Sequence, residues 1–338
     1  MGNIHFLDCT LREVALPQYH WGTDVMGAVL DSLCSAGIEI VECGFLKSGA
    51  HLPGSSLFQN VSTIDTLVAD VKKRGCQIAA LMDHGRFQVS TLPHASQTQL
   101  DIVRVCFKKG ERYAVLEDIE KLIQKGYRVF VQHVDIPSYT DAEIREFIER
   151  LNPLHPACYC IVDTFGTMYE EDLQRVWTLV QSLLAEDIAI GIHAHNNLMM
   201  ANALAMYMVR HHGQRDLVVD GTLLGAGRGA GNTNTEILLH YLCRTQGKTY
   251  DLTHIYQIVD QIKPILEENF QYGYSLPYFQ AGINGAHVFN VDYLNTHYRL
   301  SSTQRMLLLQ MLTQEQKKKY DYPHLDQLVA TLQQETKK

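Results

Sequence analysis

The chain has no apolar run long enough to span a bilayer and no cluster of lysines and arginines. The first absence leaves no membrane partner to expect. The second leaves nucleic acid without an electrostatic footprint, since 37 acidic groups face 29 basic ones for a formal charge of -8. No secretory leader is expected from the opening MGNIHFLDCTLRE, which places charges where an apolar stretch would be needed. Phe6 stands where N-myristoylation wants Ser or Thr. These absences make a cytoplasmic location the expectation. No C-x-x-C pair occurs among Cys9, Cys34, Cys43, Cys76, Cys106, Cys158, Cys160 and Cys243, so a zinc knuckle has no support. Most of the eight lie in apolar segments and are expected to be buried free thiols. The chain also lacks a GxGxxG after its first strand candidate, a Walker A lysine and low-complexity segments, which argues against a dinucleotide or P-loop fold.

What remains is a chain with a real core, 46% apolar and 20% charged. Short apolar runs at residues 4–7, 38–43, 77–82, 102–106, 128–132, 158–162, 188–192 and 217–219 read as strands. Amphipathic stretches lie between them, at 24–36, 63–74, 114–125, 141–150, 170–184 and 196–210. The first three end at Gly37, Gly75 and Gly126, where a helix C-cap glycine belongs. Alternating βα units on this scale, about 240 residues for eight, predict an α/β fold: a (β/α)8 TIM barrel. The barrel is assigned to residues 1–245 and a helical accessory region to 246–338. Within that region, 272–295 is rich in Gly, Tyr and Asn, and 302–338 is helical and polar.

Chemistry in such a barrel sits at the C-terminal ends of the strands. Asp8, Arg12 and Glu13 follow the first strand, and Glu42 ends the second. Asp83 and His84 follow the third, Asp163 and Thr164 the sixth, Asp220 and Thr222 the eighth. His193 and His195 end the seventh, in IGIHAHNN. At i,i+2 on a strand both rings share a face and form half of a divalent-metal site. The third ligand is expected to be an oxygen, with Glu13, Asp8, Asp163, Asp220 and Asn232 all within reach of the pattern. Arg12 at this end can hold a carboxylate or an enolate oxygen. GAGRGAGN, residues 225–232, reads as an anion-binding loop, a tight closing loop, or both.

Taken together, LDCTLRE, VECGF, VDTFG, HAHNN and GAGRGAGNTNTE resemble, in order, the motifs of the metal-dependent pyruvate aldolase and HMG-CoA lyase-like TIM barrels, the DRE-TIM metallolyases. The pattern is most similar to 4-hydroxy-2-oxovalerate aldolase-like members. The resemblance implies Glu13, His193, His195 and Asn232 as metal ligands, Arg12 as the group that steadies an enolate, and Glu42 as its orienting partner. It makes Asp8 a supporting residue. It further implies Mn2+ or Mg2+, with Zn2+ or Co2+ as alternatives, a small 2-oxo acid and an aldehyde as substrates, and a homodimer; nothing in the sequence indicates an aldehyde dehydrogenase partner. The implied reaction is cleavage or formation of a 4-hydroxy-2-oxo acid through a metal-held pyruvate enolate. The alternatives are an acetyl-CoA-dependent Claisen synthase, which Glu13 in place of the commoner Asp favours, and a non-catalytic barrel.

There are departures from the family pattern. Val14 replaces a glycine, and the lyase's loop cysteine is absent. Leu16 stands where the aldolases carry a histidine. His20 is the nearby substitute, if VALPQYHW folds over the mouth. Tyr272, Tyr274 and Tyr278 are candidates for a tyrosine that reaches the substrate from the accessory region.

Overall fold

A computed structural model describes residues 2–15, 20–49, 53–269 and 272–335. Nine strands run in chain order: β1 (Ile4–Asp8), β2 (Ile40–Leu46), β3 (Leu57–Phe58), β4 (Gln77–Asp83), β5 (Ile102–Cys106), β6 (Arg128–His133), β7 (Cys158–Asp163), β8 (Ala189–Ala194) and β9 (Leu217–Gly221). All pair in parallel, in the order β1-β9-β8-β7-β6-β5-β4-β2, and β1 closes the ring onto β2. This is the expected (β/α)8 barrel. The short β3 is an addition that takes over from β1 beside the upper half of β2, pairing Phe45 with Leu57. It can approach because Gly44 sits at a register shift in β2 and lacks a side chain; a Cβ there would lie 2.1 Å from the Ser56 carbonyl oxygen.

The strands form where Val, Ile and Leu cluster, and helices cover them outside with apolar stripes that complete the main core, except between β4 and β5, where only the 3-10 turns Val89–Thr91 and Ala95–Gln97 occur. Inside the barrel the apolar set is small, with Leu7, Ile40, Ala79, Ile102, Phe130 and Val218 among its members. The inward alternation of these strands then continues into polar groups toward their C-terminal ends. Helices Thr23–Ser35 and Val115–Gln124 end before Gly37 and Gly126, which take φ of +88° and +84°.

Two helix readings need correction. The stretch 63–74 is a helix Val61–Val68, capped by the Asn60 side chain, followed by a separate 3-10 turn Val71–Arg74. The stretch 196–210 starts as a helix only at Ala201, because Asn196 and Asn197 hydrogen-bond elsewhere and Met199 is left-handed at φ +61°. One cysteine reading is also corrected. Cys34 and Cys76 form a disulfide across 42 residues, while Cys9, Cys43, Cys106, Cys158, Cys160 and Cys243 are free. The end of helix Thr23–Ser35 and the entry to β4 meet beneath the barrel, which spacing along the chain does not reveal.

Beyond the barrel, helix Leu252–Asn269 packs Ile255, Ile258, Ile262 and Leu266 into the main core. Helices Leu276–Asn284, Val288–His297, Ser302–Met311 and Tyr322–Glu335 gather around a second core of Tyr278, Val291, Leu294, Leu308, Leu325 and Val329. Ala230 of the glycine loop joins this second core, so the accessory helices rest on the C-terminal mouth of the barrel. Among the described residues, no helix is long and apolar enough to cross a membrane.

Candidate metal centre

β8 delivers both histidines to the barrel mouth, where they are buried with ring centroids 5.0 Å apart. Glu13 reaches them from the helical turn Thr10–Glu13 that follows β1. Its Oε1 lies 3.1 Å from His193 Nε2 and its Oε2 lies 3.9 Å from His195 Nε2. The other ring nitrogens are occupied. His193 Nδ1 is 2.9 Å from Asp220 Oδ2, and His195 Nδ1 is 2.9 Å from the Asp163 carbonyl. Donation to these oxygens fixes the tautomers and turns both Nε2 lone pairs toward Glu13. Neither Nε2 atom forms a hydrogen bond, and both are buried. Asn232 Oδ1 is likewise buried without a partner, while its Nδ2 donates to Ala226. Arg12 donates to Glu13, but the two Nε2 atoms and Asn232 Oδ1 are left as buried acceptors with no donor, a costly arrangement unless a cation joins them. Two imidazoles, a carboxylate and an amide oxygen fit a divalent cation.

The other carboxylates named from the sequence are committed elsewhere. Asp8 accepts from Thr10 N and Thr235 Oγ1, and Asp163 accepts from Thr167 N and Met168 N. Cys9, His193 and Asp220 also lie within metal-binding distance of one another. In that trio the Cys9 thiol already donates to Gly221, and Asp220 Oδ2 is shared by Arg104 and His193 Nδ1, although Asp220 Oδ1 is left without a partner. Burial pushes the Cys9 thiol well up, which also opposes its use as a ligand.

A closed chain of charges frames the site. Arg12 pairs with Glu13 and, through Nε at 2.7 Å, with Glu42. Glu42 also receives Arg104 Nη1 at 3.0 Å, and Arg104 bridges onward to Gln132 and Asp220. Asp220 returns the chain to His193. Burial pushes the Glu13 carboxyl up, but the Arg12 guanidinium beside it is the chief opposing group, and the carboxyl lies well below the usual carboxylate range. Burial lowers His195, with Glu13 opposing; for His193, Asp220 and Glu13 overcome burial and raise it.

Arg104 and Gln132 were not singled out from the sequence. A signal existed: Arg104 interrupts IVRVC in phase with Ile102, which faces the barrel interior, and Gln132 is in phase with Phe130. The glycine loop is held by β8 rather than acting on its own. Asn196 N donates to Gly231, and the Asn197 side chain receives Ala230 N while donating to Phe165. Gly231, at φ +90°, packs so closely that a Cβ would lie 1.9 Å from the Gly225 oxygen. Gly227 lies against Asn232 and Glu13, its imagined Cβ 2.1 Å from Asn232 Nδ2 and 3.4 Å from Glu13 Oε2.

Arg12 and Glu13 open onto a cavity of about 580 Å³ that is also lined by Lys47, Asp83, His84, Lys108, Thr164, Arg228 and Phe289. His84 Nδ1 is 2.6 Å from Asp118 Oδ2. His20 is exposed and does not line this cavity, and residues 16–19 of the segment expected to carry it inward lie outside the described residues. The tyrosine expectations are not met by this cavity either. Tyr278 donates to Asp292 in the second core and Tyr274 is exposed, and Tyr272 is absent from the lining. The accessory region instead contributes Phe289 to the cavity, and His287 and Val288 to a small recess beside His195.

A family profile described as HMGL-like matches residues 3–262. The chain belongs to the HMGL-like family. This HMGL-like protein is 27% identical over 279 residues to a 4-hydroxy-2-oxovalerate aldolase of Moorella thermoacetica, covering 78% of this chain and 77% of that one. It is 27% identical over 239 residues to an oxaloacetate decarboxylase of Mycobacterium tuberculosis, covering 70% and 69%. Its fold is similar to that of the HMG-CoA lyase from Brucella melitensis, with a TM-score of 0.61 at 15% identity over 79% of this chain and 100% of that one. It is also similar to the carboxyl transferase domain of Rhizobium etli pyruvate carboxylase, with a TM-score of 0.67 at 12% identity. That match covers 99% of this chain, accessory helices included, and 61% of the other.

Proposed function

We propose that this HMGL-like protein is a divalent-metal-dependent carbon–carbon lyase that cleaves or forms a 4-hydroxy-2-oxo acid by way of a pyruvate enolate. The observation that carries the reading is the convergence of Glu13 with two buried, unpartnered imidazole nitrogens. A divalent cation held by Glu13, His193, His195 and Asn232, with Mn2+ or Mg2+ proposed first, supplies the Lewis acidity that polarises the 2-keto group. Arg12, steadied by Glu42, is placed to stabilise the enolate oxygen. Asp118 Oδ2 accepts a hydrogen bond from His84 Nδ1–H, which leaves Nε2 as the ring's proton-accepting atom. In the cleavage direction His84 takes the proton of the 4-hydroxyl, and the C4–O bond becomes the aldehyde carbonyl. The C3–C4 electron pair passes to C3 as the enolate, which gains a proton and leaves as pyruvate. In this reading residues 1–245 carry the chemistry and 246–338 form its cover. A homodimer and a cytoplasmic location complete the proposal; the six free thiols favour that compartment and the Cys34–Cys76 bridge opposes it.

Incubation of the metal-loaded protein with pyruvate in D2O tests it, since enolate formation exchanges the methyl protons in the NMR spectrum. Exchange is expected, and His195→Ala should lower it about 10- to 100-fold or more. No exchange in the wild type overturns the lyase reading. Thiol release from acetyl-CoA with a 2-oxo acid would then move the assignment to the Claisen synthase, which Glu13 favours. His84→Asn should lower kcat for cleavage about 10²-fold or more with a smaller change in KM.

A further inference from the structure

The reaction as proposed accounts for one anionic group, the carboxylate of the 2-oxo acid. The buried frame around the ligands holds Glu13, Glu42 and Asp220 against Arg12 and Arg104, a net charge of -1. A divalent cation makes that +1, and one substrate carboxylate brings it to zero. The cavity nevertheless carries more positive charge. Of its remaining cations, Arg86 is paired with Asp83 at 3.1 Å. Among the described residues, Lys47, Lys108 and Arg228 form no ion pair. Glu111, the other carboxylate on the wall, accepts from the backbone of Lys108.

Arg228 is the most constrained of the three. It is half-buried and its side chain makes no hydrogen bond, while its carbonyl accepts from Gly231 N at 3.1 Å. It stands between Gly227, whose backbone lies against Asn232 and Glu13, and Gly229, where a Cβ would meet Asn197 and Val288 at 2.7 Å. A bulky cation is thus set on a loop that the metal site itself fixes, and it lines both the cavity and the recess beside His195. A guanidinium in such a place is suited to bidentate recognition of a planar or tetrahedral anion. Lys47 and Lys108 are exposed and add point charges from the loops after β2 and β5.

We propose that Arg228, with Lys47 and Lys108, forms a subsite for a second anionic group, a carboxylate or a phosphate, on the aldehyde half of the substrate. The protein therefore takes an anionic aldehyde, not a neutral one. This rests on the lyase reading above, and the two are tested separately. Pyruvate would be condensed with a carboxylate-bearing aldehyde (succinic semialdehyde), a phosphate-bearing one (glycolaldehyde phosphate) and a neutral one (butyraldehyde). At least one anionic acceptor is expected to exceed the neutral one about 100-fold in kcat/KM, and the larger ratio identifies the anion. Arg228→Gln should collapse that ratio to within about 10-fold of unity. The double variant Lys47→Gln/Lys108→Gln, altered only at exposed side chains, should lower it about 10-fold and covers the case in which the loop variant misfolds. Methyl exchange by the wild type without any preference for an anionic acceptor overturns the subsite. A ratio unchanged in both variants overturns it too. Absence of exchange overturns the lyase reading instead.

Discussion

At the scale of single residues, the site is built by committing one end of each side chain so that the other end is free. His193 and His195 spend Nδ1 on Asp220 and on a carbonyl, and their Nε2 atoms are left for a cation. The same logic isolates His133, a buried histidine outside this site. It shares a hydrogen bond with Tyr159 and is enclosed by Phe107, Tyr139 and Phe147. Burial, with Arg112 and Lys109 adding to it, lowers its pKa to about 3. The folded value therefore lies below the unfolded one of about 6.5. The stability tied to this ring is fully present above pH 6.5 and is lost as pH falls toward 3. Between pH 6.5 and 5 the loss amounts to about 2 kcal/mol, at about 1.4 kcal/mol per pH unit. Urea titrations across that range should show a shallower decline for His133→Phe. At pH 8 the same variant should be about 1–3 kcal/mol less stable, because the Tyr159 hydroxyl loses its partner. An unaltered slope would remove His133 from the acid response.

At the scale of elements, the decisive piece is the loop 225–232. It reads as glycine-rich in the sequence, but its role comes from two neighbours. The asparagines after β8 tie it down, and β1 presents Glu13 beneath it. Gly231→Ala would force a Cβ into the Gly225 carbonyl at a positive φ. The loop must shift, and Asn232 with it. Metal affinity measured by titration calorimetry is expected to fall about 10- to 100-fold. Retention of full affinity would exclude Asn232 from the ligand set. The start of the helix at Ala201 belongs to the same account. Periodicity favoured a helix from 196, but Asn196 and Asn197 are drawn off by tertiary hydrogen bonds that no local pattern encodes.

At the scale of the whole molecule, barrel closure brings β1 against both β2 and β9 and so joins Arg12, Glu13, Glu42 and Asp220 from distant segments. Pairing of β2 with β4 sets Cys34, in the helix before β2, beside Cys76 at the entry to β4. Bridging a 42-residue separation should stabilise the fold by about 4 kcal/mol in the chain-entropy picture, so Cys34→Ser should cost an amount of that order. Alkylation of the unfolded, unreduced protein should label six cysteines by mass spectrometry, and labelling of all eight would show the bridge absent. Closure further stacks the accessory helices on the mouth, where Phe289 narrows the cavity.

The sequence by itself determined the barrel and the histidine pair. Both follow from local rules: βα alternation repeats along the chain, and strand alternation puts i and i+2 on one face. It also placed Arg12 and Glu13 just past the end of β1, but Glu42, expected to end its strand, is the third of the seven residues of β2. It left the third ligand open among five oxygens, because strand ends all look alike until the ring closes. The tertiary structure narrows that choice: Asp8 and Asp163 accept hydrogen bonds from Thr10, Thr235, Thr167 and Met168, whereas Glu13 faces the two histidine Nε2 atoms. It likewise revealed Arg104 as the buried link between Glu42 and Asp220, put His84 on the cavity wall, and set Arg228 there in no close ion pair, with Asp83 as an anion in its field. These are contacts between residues far apart in the chain, set by closure of the barrel and not by any pattern along it.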